Sequence, residues 1–236
     1  YTVDRMTMKK FFVLIGNYGS GKTELSINLA IKSAKHSTTV LVDLDVVNPY
    51  FRSSERKEPL KAAGVKLISP MFAMTNVDVP SLLPDVQSVF VDSHETVIFD
   101  AGGDAAGATA LGQYKRFFDK ISKDALQVLC VVNPRRPFSE TPEMVVDLAE
   151  KIREKCRLDI TGFINNSNLS YETTKEDVFA GYEMMQKISP MTGIPVYGTS
   201  AKTEILKEFM SIAKSEQLDE KYIGNPIPIK NYMHRD

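Results

Sequence analysis

The sequence predicts a three-layer α/β fold, in which a mostly parallel β-sheet carries helices on both faces. Short apolar runs that are rich in β-branched residues indicate buried strands, and a segment with helical spacing of apolar residues follows each of them. Strands that are apolar throughout and alternate with helices are typical of a parallel sheet covered on both sides. A glycine-rich loop at the first junction between a strand and a helix supports the same fold class.

The alternation runs through the chain in order. The predicted strands cover residues 11–15, 38–43, 65–69, 96–100, 126–132, 159–165 and 194–197. The predicted helices cover residues 24–31, 53–63, 81–90, 107–121, 139–156, 175–188 and 203–214. Ligands of such sheets bind outside the carboxyl ends of the strands, so the polar residues that follow the strands are the candidates for function.

The segment Gly16–Thr23 fills every fixed position of the phosphate-binding pattern G-x-x-x-x-G-K-[ST], between the first strand and the first helix. Glycines let successive backbone N–H groups point at phosphates, and the helix N-terminus adds the positive end of its dipole. We expect Lys22 to reach the β- and γ-phosphates as a catalytic residue, and the Thr23 hydroxyl to ligate Mg²⁺. The residues expected at the nucleotide are Gly16, Asn17, Gly19, Ser20, Gly21, Lys22 and Thr23.

A dinucleotide-binding fingerprint is the competing interpretation of this segment. Gly19 and Gly21 follow a strand, and acidic residues occur about 20 positions later, as that motif requires. The third glycine is missing, however, because Glu24 occupies its position, and Lys22 has no role in that motif. The phosphate loop of nucleoside triphosphatases is therefore favoured.

A second candidate feature is the acid at the end of the fourth predicted strand. Asp100 precedes Ala101, Gly102 and Gly103, which is the pattern of a Walker B aspartate followed by a glycine turn. We expect Asp100 to hold Mg²⁺, since this ion takes one or two carboxylates and keeps several waters. Gly103 would bring a backbone N–H against the γ-phosphate, so that loss of this phosphate would release the loop.

Acids also close the second predicted strand, at Asp43 and Asp45. A carboxylate near the γ-phosphate can orient the attacking water, and Asp45 is the better candidate because it lies further out of the strand. Asp43 shares its side of the pleat, so one of the two acids could instead support the other. Arg52 could neutralise charge in the transition state or be an ordinary solvated arginine.

Two further strand ends bear on the choice of base. Residues 165–168 carry amides and a serine in place of the Asn-Lys-x-Asp of guanine-specific switches, and a carboxamide can exchange hydrogen bonds with adenine. Adenine is favoured on this ground. Ser200, Ala201 and Lys202 match the Ser-Ala-Lys loop of GTPases, so GTP remains an alternative.

Composition is that of a soluble globular protein. The chain has 236 residues, of which 43% are hydrophobic and 25% charged, and its formal net charge is −1. We expect one nucleotide-binding domain, with residues 1–8 disordered or foreign to it and residues 218–236 as a carboxy-terminal extension. No leader or membrane segment is evident, which favours the cytoplasm, and nothing indicates binding of nucleic acid or a membrane. Cys130 and Cys156 are expected to be free thiols.

The order of these motifs resembles the MinD/ParA/CobQ/CobB family of P-loop ATPases, which belongs to the SIMIBI class. The resemblance covers residues 10–200 and implies ATP and Mg²⁺ as cofactors, a sheet of seven or eight strands, and often a dimer. It places Gly21, Lys22 and Thr23 on phosphates and Mg²⁺, and Asp45 at the attacking water. Asp100 takes the Walker B position, and Asn166 is placed on adenine.

One departure concerns Asn17, which stands where these proteins commonly carry an additional lysine that reaches the nucleotide of a partner subunit. The resemblance favours an ATPase switch that hydrolyses ATP and acts on a protein partner, with residues 50–52 as a contact and a nucleotide-dependent homodimer as one form. An ATP-dependent transferase or ligase of the CobQ/CobB/dethiobiotin synthetase type is the alternative, with residues 71–84 shaping its substrate pocket. A GTP-dependent relative and a binding module without catalysis also remain open.

Overall fold

Eight parallel strands form one sheet in the computed structural model, which describes residues 9–45, 54–69, 84–103, 105–168 and 170–233. The strands are β1 (Lys10–Gly16), β2 (Thr39–Leu44), β3 (Lys66–Ile68), β4 (Thr96–Ala101), β5 (Leu126–Val132), β6 (Gly162–Asn165), β7 (Val196–Lys202) and β8 (Asn225–Ile229). The helices are α1 (Lys22–Ser33), α2 (Ser54–Ala62), α3 (Pro84–Ser88), α4 (Ala105–Gly112), α5 (Lys115–Phe118), α6 (Pro142–Cys156), α7 (Lys175–Thr192) and α8 (Thr203–Ser215).

The strand order is β3-β2-β4-β1-β5-β6-β7-β8, which puts β1 in the interior of the sheet. β1 pairs with β4 on one side and with β5 on the other. The strands β2, β3 and β4 all lie on the first side and β5 to β8 on the second, so the order of the strands reverses at β1. Crevices for ligands open at such switch points in parallel sheets. The glycine-rich loop that follows β1 lies at this point.

Apolar residues cover both faces of the sheet. On one face, Ile27 of α1 and Leu60 of α2 pack with Leu41 and Ile98. On the other face, residues of α4, α6 and α7 form a larger cluster with the alternate strand residues; its members include Leu111, Val145, Met185, Val13 and Phe99. The predicted three-layer α/β fold is thus confirmed, and α8 packs with α7 beside β7.

Two predicted helical segments, 107–121 and 139–156, differ from the structure for identifiable reasons. The segment 107–121 consists of α4 and α5, because Gly112 ends α4 where it packs tightly on α6: a methyl group on Gly112 would lie 2.7 Å from the Lys155 carbonyl oxygen. The segment 139–156 becomes helical only at Pro142, since the hydroxyl of Thr141 caps the helix by accepting from the Met144 N–H. Residues 139–141 are therefore part of the loop before α6.

The carboxy-terminal segment 218–236 contains an edge strand that the sequence analysis did not predict. β8 pairs in parallel with β7, and it buries Ile227 and Ile229 while Pro226 and Pro228 face solvent. Proline cannot donate to a ladder and is tolerated where one side of a strand has no neighbour. Within the described ranges, none of the helices combines the length and the apolar character needed to cross a membrane.

Candidate functional site

The phosphate loop has the backbone conformation that its glycines permit. Gly19 and Gly21 have φ angles of 71° and 89°, in the left-handed region that favours glycine, and Gly21 immediately precedes α1. At Gly16, with φ of 142°, a methyl group would lie 2.4 Å from the Val131 carbonyl oxygen of β5. The loop is therefore curled tightly against the sheet and opens onto a helix N-terminus, as anion binding requires.

Lys22 is almost completely buried beneath this loop, at 7% exposed. Its Nζ donates to the carbonyl oxygens of Gly16 at 3.2 Å and Asn17 at 2.8 Å. A methyl group on Gly103 would lie 2.7 Å from the same Nζ and 2.6 Å from the Tyr18 nitrogen. The turn after β4 thus lies directly on the phosphate loop, where we expected the γ-phosphate contact, and only glycine fits there.

Asp100 is the penultimate residue of β4, lies beside Thr23 and is 1% exposed. Burial raises its pKa to about 6, although the Thr23 hydroxyl and the Lys22 ammonium group act to lower it. Neither carboxylate oxygen has a hydrogen-bond partner of standard geometry, and the buried Ser26 hydroxyl nearby has none either. A buried carboxylate with unpartnered oxygens next to a threonine hydroxyl is a donor set that fits Mg²⁺.

Asp43 lies opposite Asp100 on the neighbouring strand. Burial and the negative charge of Asp100 raise the pKa of Asp43 to about 7. Oδ1 of Asp43 accepts from the Asp45 N–H at 3.0 Å, and the Ser69 hydroxyl donates to Oδ2 at 3.3 Å. Asp43 therefore supports the backbone that carries Asp45, which is itself only partly buried.

This pair of acids makes the stability of the ligand-free protein depend on pH. Because the folded-state pKa of Asp43 is about 7 against 3.8 in the unfolded chain, the folded state holds more protons between these values. The free energy of unfolding should fall by a few kcal/mol, at roughly 1.4 kcal/mol per pKa unit, as pH rises from about 4 through 7. Urea unfolding in the absence of Mg²⁺ at several pH values measures this loss.

Asp43→Asn should flatten the pH dependence and raise stability at pH 8, while Glu150→Gln, at an exposed position of α6, should leave the wild-type profile unchanged. Equal pH slopes for the wild type and Asp43→Asn would show that burial and the charge of Asp100 do not raise the pKa of Asp43 in the folded protein.

Asn166 follows β6 and is hydrogen-bonded to the phosphate loop. It is 1% exposed; its Nδ2 donates to the Ser20 carbonyl oxygen at 2.7 Å, and its Oδ1 accepts from the Ser200 hydroxyl at 2.6 Å. A methyl group on Gly21 would lie 2.3 Å from Nδ2. Both polar atoms of the carboxamide that we expected at adenine thus make hydrogen bonds within the protein. No pattern in the sequence indicates the contact with Ser20.

Asn166→Ala should lower the free energy of unfolding by about 2 kcal/mol, because the buried Ser20 carbonyl oxygen loses this donor and the Ser200 hydroxyl keeps only the longer contact of 3.2 Å with the Asn165 carbonyl oxygen. A double-mutant cycle with Ser200→Ala should give a coupling energy clearly different from zero. Chemical denaturation of the four ligand-free proteins measures both quantities. Additive effects, or a ligand-free Asn166→Ala as stable as the wild type, would contradict this role.

The loop between β5 and α6 is a part of the site that the sequence analysis missed. Nδ2 of Asn17 donates to the Pro137 carbonyl oxygen at 2.7 Å and to the Ser139 hydroxyl at 3.0 Å. These contacts join residues about 120 positions apart in the chain. Position 17, which carries an uncharged amide, therefore fastens the phosphate loop to this second loop.

Several sequence predictions concern residues outside the described ranges. These are Arg52 and the contact at residues 50–52, and the pocket assigned to residues 71–84, of which the structure describes Pro84 alone. Within the described part of the chain, no group of three or more His, Cys, Asp or Glu side chains could hold a metal ion. A site for Mg²⁺ built from Thr23 and Asp100, with water completing the shell, does not need such a group.

Comparison with known proteins gives structural matches alone: no family model and no curated protein matches the chain. The chain is 18% identical to FtsY from Mycoplasma mycoides, with 85% of this chain and 62% of that chain covered and a TM-score of 0.50. For chloroplast FtsY from Physcomitrella patens the identity is 19%, the coverage 81% and 58%, and the TM-score 0.53. For the signal recognition particle receptor FtsY from Elizabethkingia anophelis these values are 18%, 95% and 63%, and 0.52.

The chain spans about three fifths of the length of these structures. With the phosphate loop at the switch point of the sheet, the likeness shows that this chain has the P-loop NTPase fold.

Proposed function

We propose that this chain is a Mg²⁺-dependent nucleoside triphosphatase that works as a conformational switch. The observation that carries the proposal is Asp100, a buried carboxylate whose oxygens have no hydrogen-bond partner of standard geometry, placed beside Thr23 at the base of the phosphate loop. An uncompensated acid at this depth is costly, and it is explained if a bound cation completes its environment.

Each group has a role in water attack on the γ-phosphate. Lys22 would donate to phosphate oxygens in place of the carbonyl oxygens of its own loop. Thr23 and Asp100 would hold Mg²⁺, which would neutralise charge on the phosphates. Asp45, carried by the backbone that Asp43 supports, orients the attacking water. Gly103 contacts the γ-phosphate, so its loop moves when this phosphate leaves.

Guanine is the base that we propose, in place of the adenine favoured by the sequence. The carboxamide of Asn166, on which the choice of adenine depended, is occupied by Ser20 and Ser200. Ser200, which donates to this carboxamide, is followed by Ala201 and Lys202 at the end of β7, in the Ser-Ala-Lys order of GTPases. One of the similar structures, FtsY from Elizabethkingia anophelis at a TM-score of 0.52, is described in complex with GDP.

The partner that we propose for the switch is another protein. In the described ranges the site offers phosphate and metal contacts, and the similar FtsY of Elizabethkingia anophelis is described as a signal recognition particle receptor. A homodimer that forms with the triphosphate is the other form of this proposal, and sedimentation with and without nucleotide distinguishes a self-associating switch from a monomeric one.

Asp45→Ala should bind triphosphate about as tightly as the wild type but lose at least 100-fold in the rate of phosphate release, because the water is no longer oriented. The measurement combines equilibrium binding of labelled GTP and ATP with a phosphate-release assay. Asp124→Asn, at an exposed turn before β5, is the control for loss of an acid.

Lost binding in Asp45→Ala would instead assign this residue to the metal. A wild-type protein that binds ATP at least as well as GTP would overturn the choice of base, and one that binds neither would overturn the proposed function.

A further inference from the structure

Arg136 in the loop between β5 and α6 has an environment that no internal contact explains. Its Nε is buried and has no hydrogen-bond partner. The side chain lies over the phosphate loop: a methyl group on Gly19 would be 3.6 Å from its Cδ and Nε and 4.0 Å from its Cζ. The Nε–H group of Arg136 therefore lacks a hydrogen bond that it would make in water.

The neighbouring Arg135 shows what a structural arginine looks like in the same loop. Its Nε donates to Oδ1 of the buried Asp177 at 2.8 Å. Asp177 also caps α7, since its Oδ2 accepts from the N–H of Thr174 at 2.9 Å. Arg135 therefore anchors the loop to α7, whereas Arg136 is left to face the phosphate loop.

The loop that carries Arg136 is fixed relative to the phosphates' expected position. Nδ2 of Asn17 donates to the Pro137 carbonyl oxygen and to the Ser139 hydroxyl. Within the loop, the Arg136 N–H donates to the Asn133 carbonyl oxygen, and the Ser139 N–H donates to the Arg136 carbonyl oxygen, each at 3.1 Å. Preorganised donors cost little to engage when a ligand arrives. The position of Arg136 is thus set by the same residue, Asn17, that belongs to the phosphate loop.

Acidic and basic side chains lie on opposite sides of β1 at this site. The acids Asp43, Asp45 and Asp100 lie at the ends of β2 and β4, on one side of β1. Arg136 follows β5, on the other side of β1. A polyphosphate in the loop would have the metal on one flank and the guanidinium group on the other.

We propose that Arg136 is a phosphate-binding residue of the nucleotide site, in which its guanidinium group donates to nucleotide phosphate oxygens from the rim of the loop at Gly19. This inference rests on the proposed function, because it requires that the loop bind a nucleotide. With Lys22, Arg136 is then the second cationic side chain of this chain that contacts the nucleotide phosphates.

The test compares the wild type with Arg136→Ala, Arg136→Lys and Arg153→Ala for equilibrium binding of GTP and GDP with Mg²⁺. Arg153, on the outer surface of α6, makes only a loose ion pair of 3.6 Å with Asp159 and is the matched control. Since a hydrogen bond to a charged group contributes about 1.5–3 kcal/mol, Arg136→Ala should weaken binding at least tenfold, with Arg136→Lys in between and Arg153→Ala unchanged.

A second measurement does not depend on folding of a variant. Phenylglyoxal modification of wild-type Arg136, followed by peptide mass spectrometry, should be slowed severalfold by nucleotide, whereas modification of Arg153 should not.

The outcomes separate the two proposals. If the wild type binds nucleotide, and Arg136→Ala binds it equally well or Arg136 is not protected, the assignment of Arg136 is wrong while the proposed function stands. If the wild type binds no nucleotide at all, the proposed function fails. A loss that is equal for GTP and GDP assigns the contact to the α- or β-phosphate, and a loss confined to GTP assigns it to the γ-phosphate; both support the proposal.

Discussion

Replacing Lys22 by alanine should reduce triphosphate affinity at least 100-fold, the largest loss that we expect from one substitution at the phosphate loop. Its ammonium group is buried and donates to the carbonyl oxygens of Gly16 and Asn17, so its interaction with phosphates would be made with little competition from water. The same substitution removes a cation that lowers the pKa of Asp100. Metal binding should therefore weaken together with phosphate binding.

Thermal unfolding with and without MgGTP measures the loss, because a ligand at 100 times its Kd stabilises the folded state by about 2.7 kcal/mol. We expect this stabilisation to vanish in Lys22→Ala and to persist in Lys207→Ala, at an exposed position of α8. Ligand-free Lys22→Ala must still unfold cooperatively for the comparison to hold. A variant that folds and keeps the wild-type shift would show that Lys22 does not contact the nucleotide.

The sequence was sufficient to predict the parts of the site that depend on local geometry. The glycines at 19 and 21, the lysine and the threonine form one continuous segment, and Asp100 directly ends an apolar strand. Parallel strands bring their carboxyl ends to one edge of the sheet, so the fold class placed Asp43 and Asp100 at the same edge. That β2 pairs with β4, which makes these two acids neighbours, is seen only in the structure.

Contacts between distant segments could not be predicted in the same way. Asn166 and Ser20 are separated by 146 positions, and Asn17 and Ser139 by 122, so no periodicity or spacing links them. The role of the Asn166 carboxamide depends on whether it reaches a nucleotide base or the Ser20 carbonyl oxygen, and spacing along the chain does not distinguish the two. β8 was not predicted for a different reason. Prolines, which are rare in strands, alternate with its two isoleucines, and these isoleucines are its only buried residues.

Asp100→Asn should have effects of opposite sign on the ligand-free and the liganded protein. In the ligand-free protein above pH 7, it removes a buried charge without hydrogen-bond partners and relieves the repulsion of Asp43, so the free energy of unfolding should rise by about 1–3 kcal/mol. In the presence of nucleotide, the stabilisation that depends on Mg²⁺ should be lost, since a neutral amide is a much weaker ligand for this ion than a carboxylate.

The two effects are separated by urea unfolding at pH 8 in four conditions, with and without Mg²⁺ and with and without GTP. Asp124→Asn controls for the change in net charge. We expect Asp100→Asn to be more stable than the wild type without ligands and to lose the stabilisation by Mg²⁺. Both results together indicate that Asp100 serves to bind a cation, because replacing a residue that served the fold alone would destabilise the protein. A Mg²⁺-dependent stabilisation as large as that of the wild type would contradict the assignment of Asp100 to the metal.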